Sequence, residues 1–259
     1  MTNTYIEDKN GNKISCETAV PKDAKAFVIV IHGFGSRKES DTAQMMLRDL
    51  PEEGYGVLAI DLPGHGASSS FDIPLTIENC LDAIAAAESY LIETYEFPRI
   101  YYFASSFGAY LTLIHLSRRP HTGDKAFLRS AAVNMPELFT DDSHPELIRQ
   151  LEEQGYLIFP NAGPAPVKLP KRFFEEIRDN DLFKIVPAAI DAGAFDGIDI
   201  SMIHGECDET IDPAKAISFA GLCGFPIEVL PGEDHTLSTD PASPKRVSKA
   251  AIGFFSAED

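Results

Sequence analysis

Three short stretches of the chain hold side chains that can do acyl-transfer chemistry together. YYFASSFGAYL, residues 101–111, sets Ser105 and Ser106 between an aromatic, strand-like run and a small-residue, helix-like run; MIHGECDETI, 202–211, carries Asp208; VLPGEDHTL, 229–237, carries His235. A serine hydroxyl is a weak nucleophile at neutral pH and needs a base in hydrogen-bond reach, itself oriented by a carboxylate. A side chain thrust outward where a strand turns sharply into a helix also needs small residues two before and two after it. Ser106 meets that condition with Ala104 and Gly108, whereas Ser105 would put Phe103 and Phe107 in the crowded places. ASSFG is therefore read as a nucleophile turn with Ser106 at its tip, Ala standing where the usual form has Gly. The alternative reading is a Ser-rich strand end whose hydroxyl caps the next helix.

The remaining reactive side chains have competing readings. Asp212 and Glu209 rival Asp208 as the carboxylate, as does a carboxylate beyond the preceding strand. His32 and His65 lie in Gly-bracketed loops and are read as holding loop geometry or lining the site. His204 is read as structural, bonding backbone near its turn. His115, His121 and His144 have no partner pattern and read as surface or packing residues. Cys207 reads as a packed thiol, since nothing beside it is arranged to lower its pKa.

The elements that must position these groups alternate. Two alternating runs at 3–8 and 13–19 flank Asn10-Gly11 and predict a hairpin. AFVIVIHG is a continuous β-branched run of the kind buried on both faces, YGVLAID reads as a second buried strand, and RIYYFA, FLRSAAVN, DISMIHG and PIEVLPG are strand-like. Helices are predicted near 38–50, 76–95, 107–119 with Pro120 beyond its end, 213–222 and 243–256. Strands alternating with helices imply a mostly parallel α/β sheet covered on both faces, because parallel neighbours need long crossovers. Asp208 and His235 then fall just beyond strand-like runs, at the edge where open α/β sheets bind ligands. Residues 135–196 break the rhythm with Pro, short charged helical pieces and Phe139, Tyr156, Phe159, Phe173, Phe174 and Phe183; that stretch is predicted to be an inserted cap within a single domain of residues 1–259.

With HGFGS at 32–36, DLPGHGAS at 61–68, ASSFG at 104–108, HGECDETI at 204–211 and GEDHTL at 232–237, the chain resembles the α/β-hydrolase family over nearly its whole length. The resemblance implies Ser106 as nucleophile, Asp208 as acid and His235 as base, in the chain order that this fold uses. It also implies an oxyanion hole built from the backbone N–H groups of Phe34 and Phe107. Within the family, the cap and the HGFGSRKES and DLPGHGAS loops resemble bacterial cinnamoyl or feruloyl esterases, which implies esters of hydroxycinnamic acids as substrates. Neither a metal nor an organic cofactor is expected.

Composition bounds the partners. The 259 residues carry 22 Lys+Arg against 40 Asp+Glu, a net charge of −18, with no basic cluster to neutralise phosphates. Nucleic acid and anionic membrane surfaces are therefore not expected partners. The amino terminus lacks an apolar signal-like core, no run is long enough to cross a bilayer, and Cys16, Cys80, Cys207 and Cys223 have no CxxC spacing. A cytoplasmic serine carboxylesterase acting on a small-molecule ester is the expectation. A thioester, lactone or carbon–carbon hydrolase with the same three residues, and a ligand-binding protein without turnover, are the alternatives. The number of subunits is left open, a homodimer included.

Overall fold

A computed structural model describes residues 2–96, 98–139, 145–160, 163 and 165–257. Along the chain run β1 (Thr2–Glu7), β2 (Lys13–Ala19), β3 (Ala26–Ile31), α1 (Asp41–Glu52), β4 (Tyr55–Ile60), α2 (Ile77–Thr94), β5 (Ile100–Ser105), α3 (Phe107–Arg118), β6 (Gly123–Arg129), α4 (Met135–Phe139), α5 (Pro145–Gln154), β7 (Tyr156–Phe159), β8 (Val167–Pro170), α6 (Lys171–Asp179), α7 (Leu182–Asp191), β9 (Asp199–Gly205), α8 (Pro213–Cys223), β10 (Ile227–Leu230) and α9 (Ser243–Ser256). Eight strands form one sheet in the order β1-β2-β4-β3-β5-β6-β9-β10. From β4 to β10 every pairing is parallel, while β1 and β2 add an antiparallel edge.

Burial follows the apolar runs. Every residue of β3, β4 and β5 is buried, as strands covered on both faces must be. One face packs Val28, Val30, Tyr101, Phe103 and Phe127 against α1 and α9; the other packs Ile29, Tyr102 and Leu128 against α2, α3 and α8. All six parallel strands thus end at one edge, from which the loops bearing Phe34, Ser106, Asp208 and His235 emerge.

Two boundaries differ from expectation, each for a physical reason. The strand expected at 127–134 runs over Gly123–Arg129 instead, because Ser130 turns the chain out of the sheet with φ 47°. Ala131, Ala132 and Val133 are buried beyond it and imitate a strand by composition alone. Helix α1 begins at Asp41 behind an Ser40 cap (Oγ to Ala43 N, 3.4 Å), not at 38, because Lys38 is drawn inward. Between β6 and β9 the chain forms α4, α5, the antiparallel hairpin β7–β8, α6 and α7. The last of these packs on α3 and α8, so it joins the helical layer of the sheet rather than the excursion above it.

Lys38 meets the carboxylate that ties two site loops together. Asp61, fully buried after β4, accepts Lys38 N–H (2.8 Å), Lys38 Nζ (2.9 Å) and Ala67 N–H (2.9 Å). Gly66 passes so close that a Cβ there would lie 2.4 Å from the carboxylate. A buried charge stripped of its partner is far costlier than the intact pair is stabilising. Asp61→Ala is thus expected to lower unfolding free energy by about 3–5 kcal/mol, read from urea midpoints. Replacing the pair together, Lys38→Met with Asp61→Leu, should cost less than Asp61→Ala alone.

Candidate active site

Ser106 occupies the link between β5 and α3 at φ 51°, ψ −114°, a region that a residue with a Cβ adopts only under strain. The strain is held by neighbours: Ser106 N–H donates to Arg129 O (2.8 Å), and Ser106 O accepts from Tyr110 N–H (3.1 Å) and Ala132 N–H (3.2 Å). The small residues around it are demanded by contact. A Cβ on Gly108 would stand 2.5 Å from His32 O and 2.6 Å from Ile31 O, and one on Gly33 would stand 3.1 Å from Ser106 Cβ. Ser106 caps no helix through its side chain, which removes the capping alternative for it. Ser105 ends β5, buried.

The structure brings the three separated side chains into a line. His235 Nε2 lies 2.9 Å from Ser106 Oγ, and His235 Nδ1 lies 2.7 Å from Asp208 Oδ2. Asp208 is buried and saturated with donors: Oδ1 accepts Thr210 N–H (2.8 Å) and Ile211 N–H (2.9 Å), and His204 Nε2 lies 3.1 Å from Oδ2. Burial alone would raise its pKa; the bonds from His204, His235 and Ile211 outweigh it and hold the carboxyl far below its ordinary range. Its rivals are placed elsewhere, Asp212 as the N-cap of α8 (Oδ1 to Ala214 N, 2.8 Å) and Glu209 exposed.

The loop carrying His235 is fastened from below. Ser130 Oγ donates to His235 O (2.9 Å), Arg129 Nη2 donates to Thr236 O, and buried Glu233 accepts Thr239 N–H (3.1 Å), Asp240 N–H (3.0 Å) and Ser243 Oγ (2.8 Å). Among the described residues, three of the four non-glycine residues with positive φ, Ser106, Ser130 and Leu237, belong to this junction. Arg129 was not singled out from the sequence, since the strand expected over 127–134 hid its place at a strand end. Burial lowers its pKa to about 10, with Asp234 and Asp208 acting the other way.

His32 and His65 hold the loop between β3 and α1. His32 Nε2 accepts Leu62 N–H (3.0 Å) while Nδ1 lies 2.7 Å from Gly33 O; His65 Nε2 accepts Gly35 N–H (2.9 Å) while Nδ1 lies 3.0 Å from Pro63 O. Those partners assign both rings as neutral Nδ1–H tautomers, since a protonated Nε2 would face an N–H. Burial pushes the same way, lowering His32 to about 4 and His65 to about 3. Between the anchors, Phe34 N–H and Phe107 N–H, the latter at the first turn of α3, have no acceptor among the described residues. Two such donors beside Oγ can receive charge developing on a carbonyl oxygen.

Other assignments change. His204 bonds Ile211 O (3.1 Å) as a structural residue would, yet also reaches Asp208, a contact signalled by its four-residue spacing from that acid. His115, expected to lack a partner, lies 2.6 Å from Glu88 Oε1, which also accepts Tyr102 OH (2.5 Å). His121 lies 3.2 Å from Ala194 O, Cys207 is exposed rather than packed, and His144 lies outside the described residues. Among the excursion's aromatics, Phe139, Phe159 and Phe173 bring their rings to 5.6, 6.1 and 6.4 Å from Phe34, with Phe174 behind Phe173. Phe183 instead packs on Phe219 of α8, and Tyr156 faces Lys168.

The chain matches the family described as "Serine aminopeptidase, S33" over residues 22–187. No curated protein matches its sequence. Among solved structures it is similar to ferulic-acid-bound Est1E from Butyrivibrio proteoclasticus (TM-score 0.77, 19% identity, covering 98% of this chain and 100% of that one). It is also similar to a thermostable carboxyl esterase from Bacillus coagulans in complex with glycerol (0.76, 14%, 98% and 97%) and to a dienelactone hydrolase from Anabaena variabilis (0.67, 17%, 98% and 95%). At these identities the likeness is one of fold.

Two outcomes follow from the geometry. Relieving the φ strain, Ser106→Gly should raise stability by roughly 1 kcal/mol in urea unfolding. The neutral histidines set a pH slope: between about 6.5, where an unfolded histidine titrates, and the lowered folded values, the unfolded chain binds protons that the folded one refuses. Stability should therefore fall as pH drops from 6.5 toward 4, by up to about 1.4 kcal/mol per unit for each ring. His65→Gln, which keeps an acceptor for Gly35 N–H, should flatten that slope when unfolding is compared at pH 4.5, 5.5 and 6.5.

Proposed function

Because the chain belongs to the serine aminopeptidase S33 family of α/β hydrolases, we propose that it is a serine carboxylesterase in which Ser106, His235 and Asp208 form the catalytic triad. The observation that carries this reading is the pair of contacts made by His235, 2.9 Å to Ser106 Oγ on one nitrogen and 2.7 Å to Asp208 Oδ2 on the other. As Oγ attacks the ester carbonyl carbon, His235 Nε2 takes its proton, and the carbonyl oxygen gains charge toward the Phe34 and Phe107 N–H groups. His235 returns that proton to the leaving alcohol, which departs from an acyl-Ser106. Water then attacks the acyl carbon with His235 again as base, releasing a carboxylic acid and restoring the hydroxyl. Asp208 holds the ring by accepting Nδ1–H and stabilises the imidazolium between the two transfers.

The acyl group is assigned to the aromatic side of Ser106. Phe34 there meets Phe139, Phe159 and Phe173 of the excursion, read as a cap, and a planar hydroxycinnamoyl group would exchange those ring contacts for its own. The family name speaks of aminopeptidases, but a buried guanidinium, Arg129, lines the cavity beside Ser106 and disfavours a substrate ammonium there. Thioester, lactone and carbon–carbon hydrolysis would use the same three residues, and a protein that binds without turnover would keep the pocket. Free thiols at Cys16, Cys80, Cys207 and Cys223 suit a reducing compartment, and the cytoplasm is the proposed location.

The test is a substrate panel of p-nitrophenyl esters, methyl hydroxycinnamates, an acyl-thioester, a lactone and a ring-cleavage diketone, with fluorophosphonate labelling alongside. Turnover of the esters with an adduct on Ser106 is expected. Ser106→Ala should lower kcat by roughly six orders of magnitude, and Ser105→Ala should keep a substantial share of it. An equal collapse in both would undo the assignment of Ser106, and a folded protein that takes no adduct would make it a binder.

A further inference from the structure

A cavity of about 460 Å³ opens on the α1 and α9 side of Ser106, its walls including Ser106, His235, Arg129, Ser40 and Leu237. Arg129 is the anomaly in it. Its side chain stands at the end of β6, on the strand beside Ser105, and the residue is only 8% exposed. A buried charge is normally paired, because the desolvation cost otherwise goes unmet. Yet the guanidinium makes one hydrogen bond, to Thr236 O, and no ion pair among the described residues. The nearby carboxylates are engaged elsewhere: Asp208 by His235, His204 and two backbone N–H groups, and Asp234 by Thr236 N–H and Oγ1. Asp41 also lines the cavity, but it is exposed in the first turn of α1, where water screens it far more than protein screens Arg129. In a chain of net charge −18, a desolvated cation that forms no ion pair among the described residues, next to the nucleophile, calls for an anion from outside.

We propose that this cavity is a leaving-group site for an ester whose alcohol part carries a carboxylate, received by Arg129. The inference rests on the esterase reading above. Its placement on the alcohol side has two grounds. The leaving oxygen must depart past His235, and the continuous run His235–Ser238 forms one wall of the cavity. No described residue of 135–196 lines it, so the rings of Phe139, Phe159 and Phe173 stand outside the cavity, and Phe34, which they meet, is the wall that the aromatic and cationic sides share. A planar fork of N–H donors suits a carboxylate, and hydroxyls of Ser36, Ser40, Thr42 and Ser238 on the walls can complete its hydrogen bonds. The alcohol released would be a small hydroxy acid.

The test compares O-acetylglycolate with propyl acetate, and on the acyl side p-nitrophenyl hemiglutarate with p-nitrophenyl pentanoate. The ratio of kcat/KM within the alcohol-side pair is expected to fall about ten-fold or more in Arg129→Gln, to survive largely in Arg129→Lys, and to leave the acyl-side ratio unmoved. An unchanged alcohol-side ratio in folded Arg129→Gln overturns the proposal, and so does a fall confined to the acyl-side pair. Ser40→Asp offers a second variant if Arg129→Gln does not fold: it keeps the N-cap of α1 while adding a negative charge to the wall, and should depress the same ratio. Should no ester turn over and Ser106 take no adduct, the esterase reading fails on its own. Calorimetric binding of O-acetylglycolate then decides: binding weakened ten-fold by Arg129→Gln supports the site, and equal binding removes it.

Discussion

The site depends on two stretches of backbone coming closer than side chains permit. Gly108, in the first turn of α3, packs against the carbonyls of Ile31 and His32 at the end of β3, and Gly33 packs against Ser106. That approach accompanies the positive φ of Ser106, whose Oγ meets His235 Nε2, and Phe107 and Phe34 follow directly on Ser106 and Gly33. One steric requirement therefore constrains the two turns that carry the candidate nucleophile and the candidate oxyanion donors. The strain is tolerable because a rigid parallel sheet surrounds it, with Ser106 N–H and O bonded to Arg129 and to Tyr110 and Ala132.

Charge and protonation are divided sharply around that point. His32 and His65 are kept neutral by burial and spend their Nε2 lone pairs on backbone N–H groups, so they serve as fixed acceptors rather than proton carriers. Among the described histidines, only His235 has one nitrogen on a carboxylate and the other on a hydroxyl, which is the arrangement proton transfer needs. The buried charges obey the same economy: Lys38 is matched to Asp61, and Asp208 is saturated with donors. Arg129 differs from these, with a single carbonyl as its hydrogen-bond partner among the described residues.

The two faces of the junction differ as a result. Toward the excursion between β6 and β9, Phe34 meets a cluster of aromatic rings; toward α1 and α9, the walls carry hydroxyls and a guanidinium. An ester lying across Ser106 would meet an apolar environment at one end and a cationic one at the other. Selectivity in the proposed esterase then comes from that asymmetry and not from the fold, which many unrelated chemistries share.

The sequence by itself determined the alternation of strands and helices, because buried apolar runs of period-free hydrophobicity and capped amphipathic segments are local signals. It also singled out Ser106 over Ser105, since the collision that decides between them involves residues only two positions away. Even Asp208 and His235, the candidate acid and base, were legible as residues just past strand ends. What only the tertiary structure decided are contacts between distant segments: the Lys38 and Asp61 pair, Glu88 shared by Tyr102 and His115, and Arg129 bonded to the loop of His235 with no ion pair among the described residues. The end of β6 belongs with these. Ala131 to Val133 are as apolar as a strand, and only the turn at Ser130, packed beneath the loop of His235, takes them out of the sheet. Polar partners buried across long sequence separations leave no period in the chain, because their pairing is set by which strand ends the sheet order brings side by side.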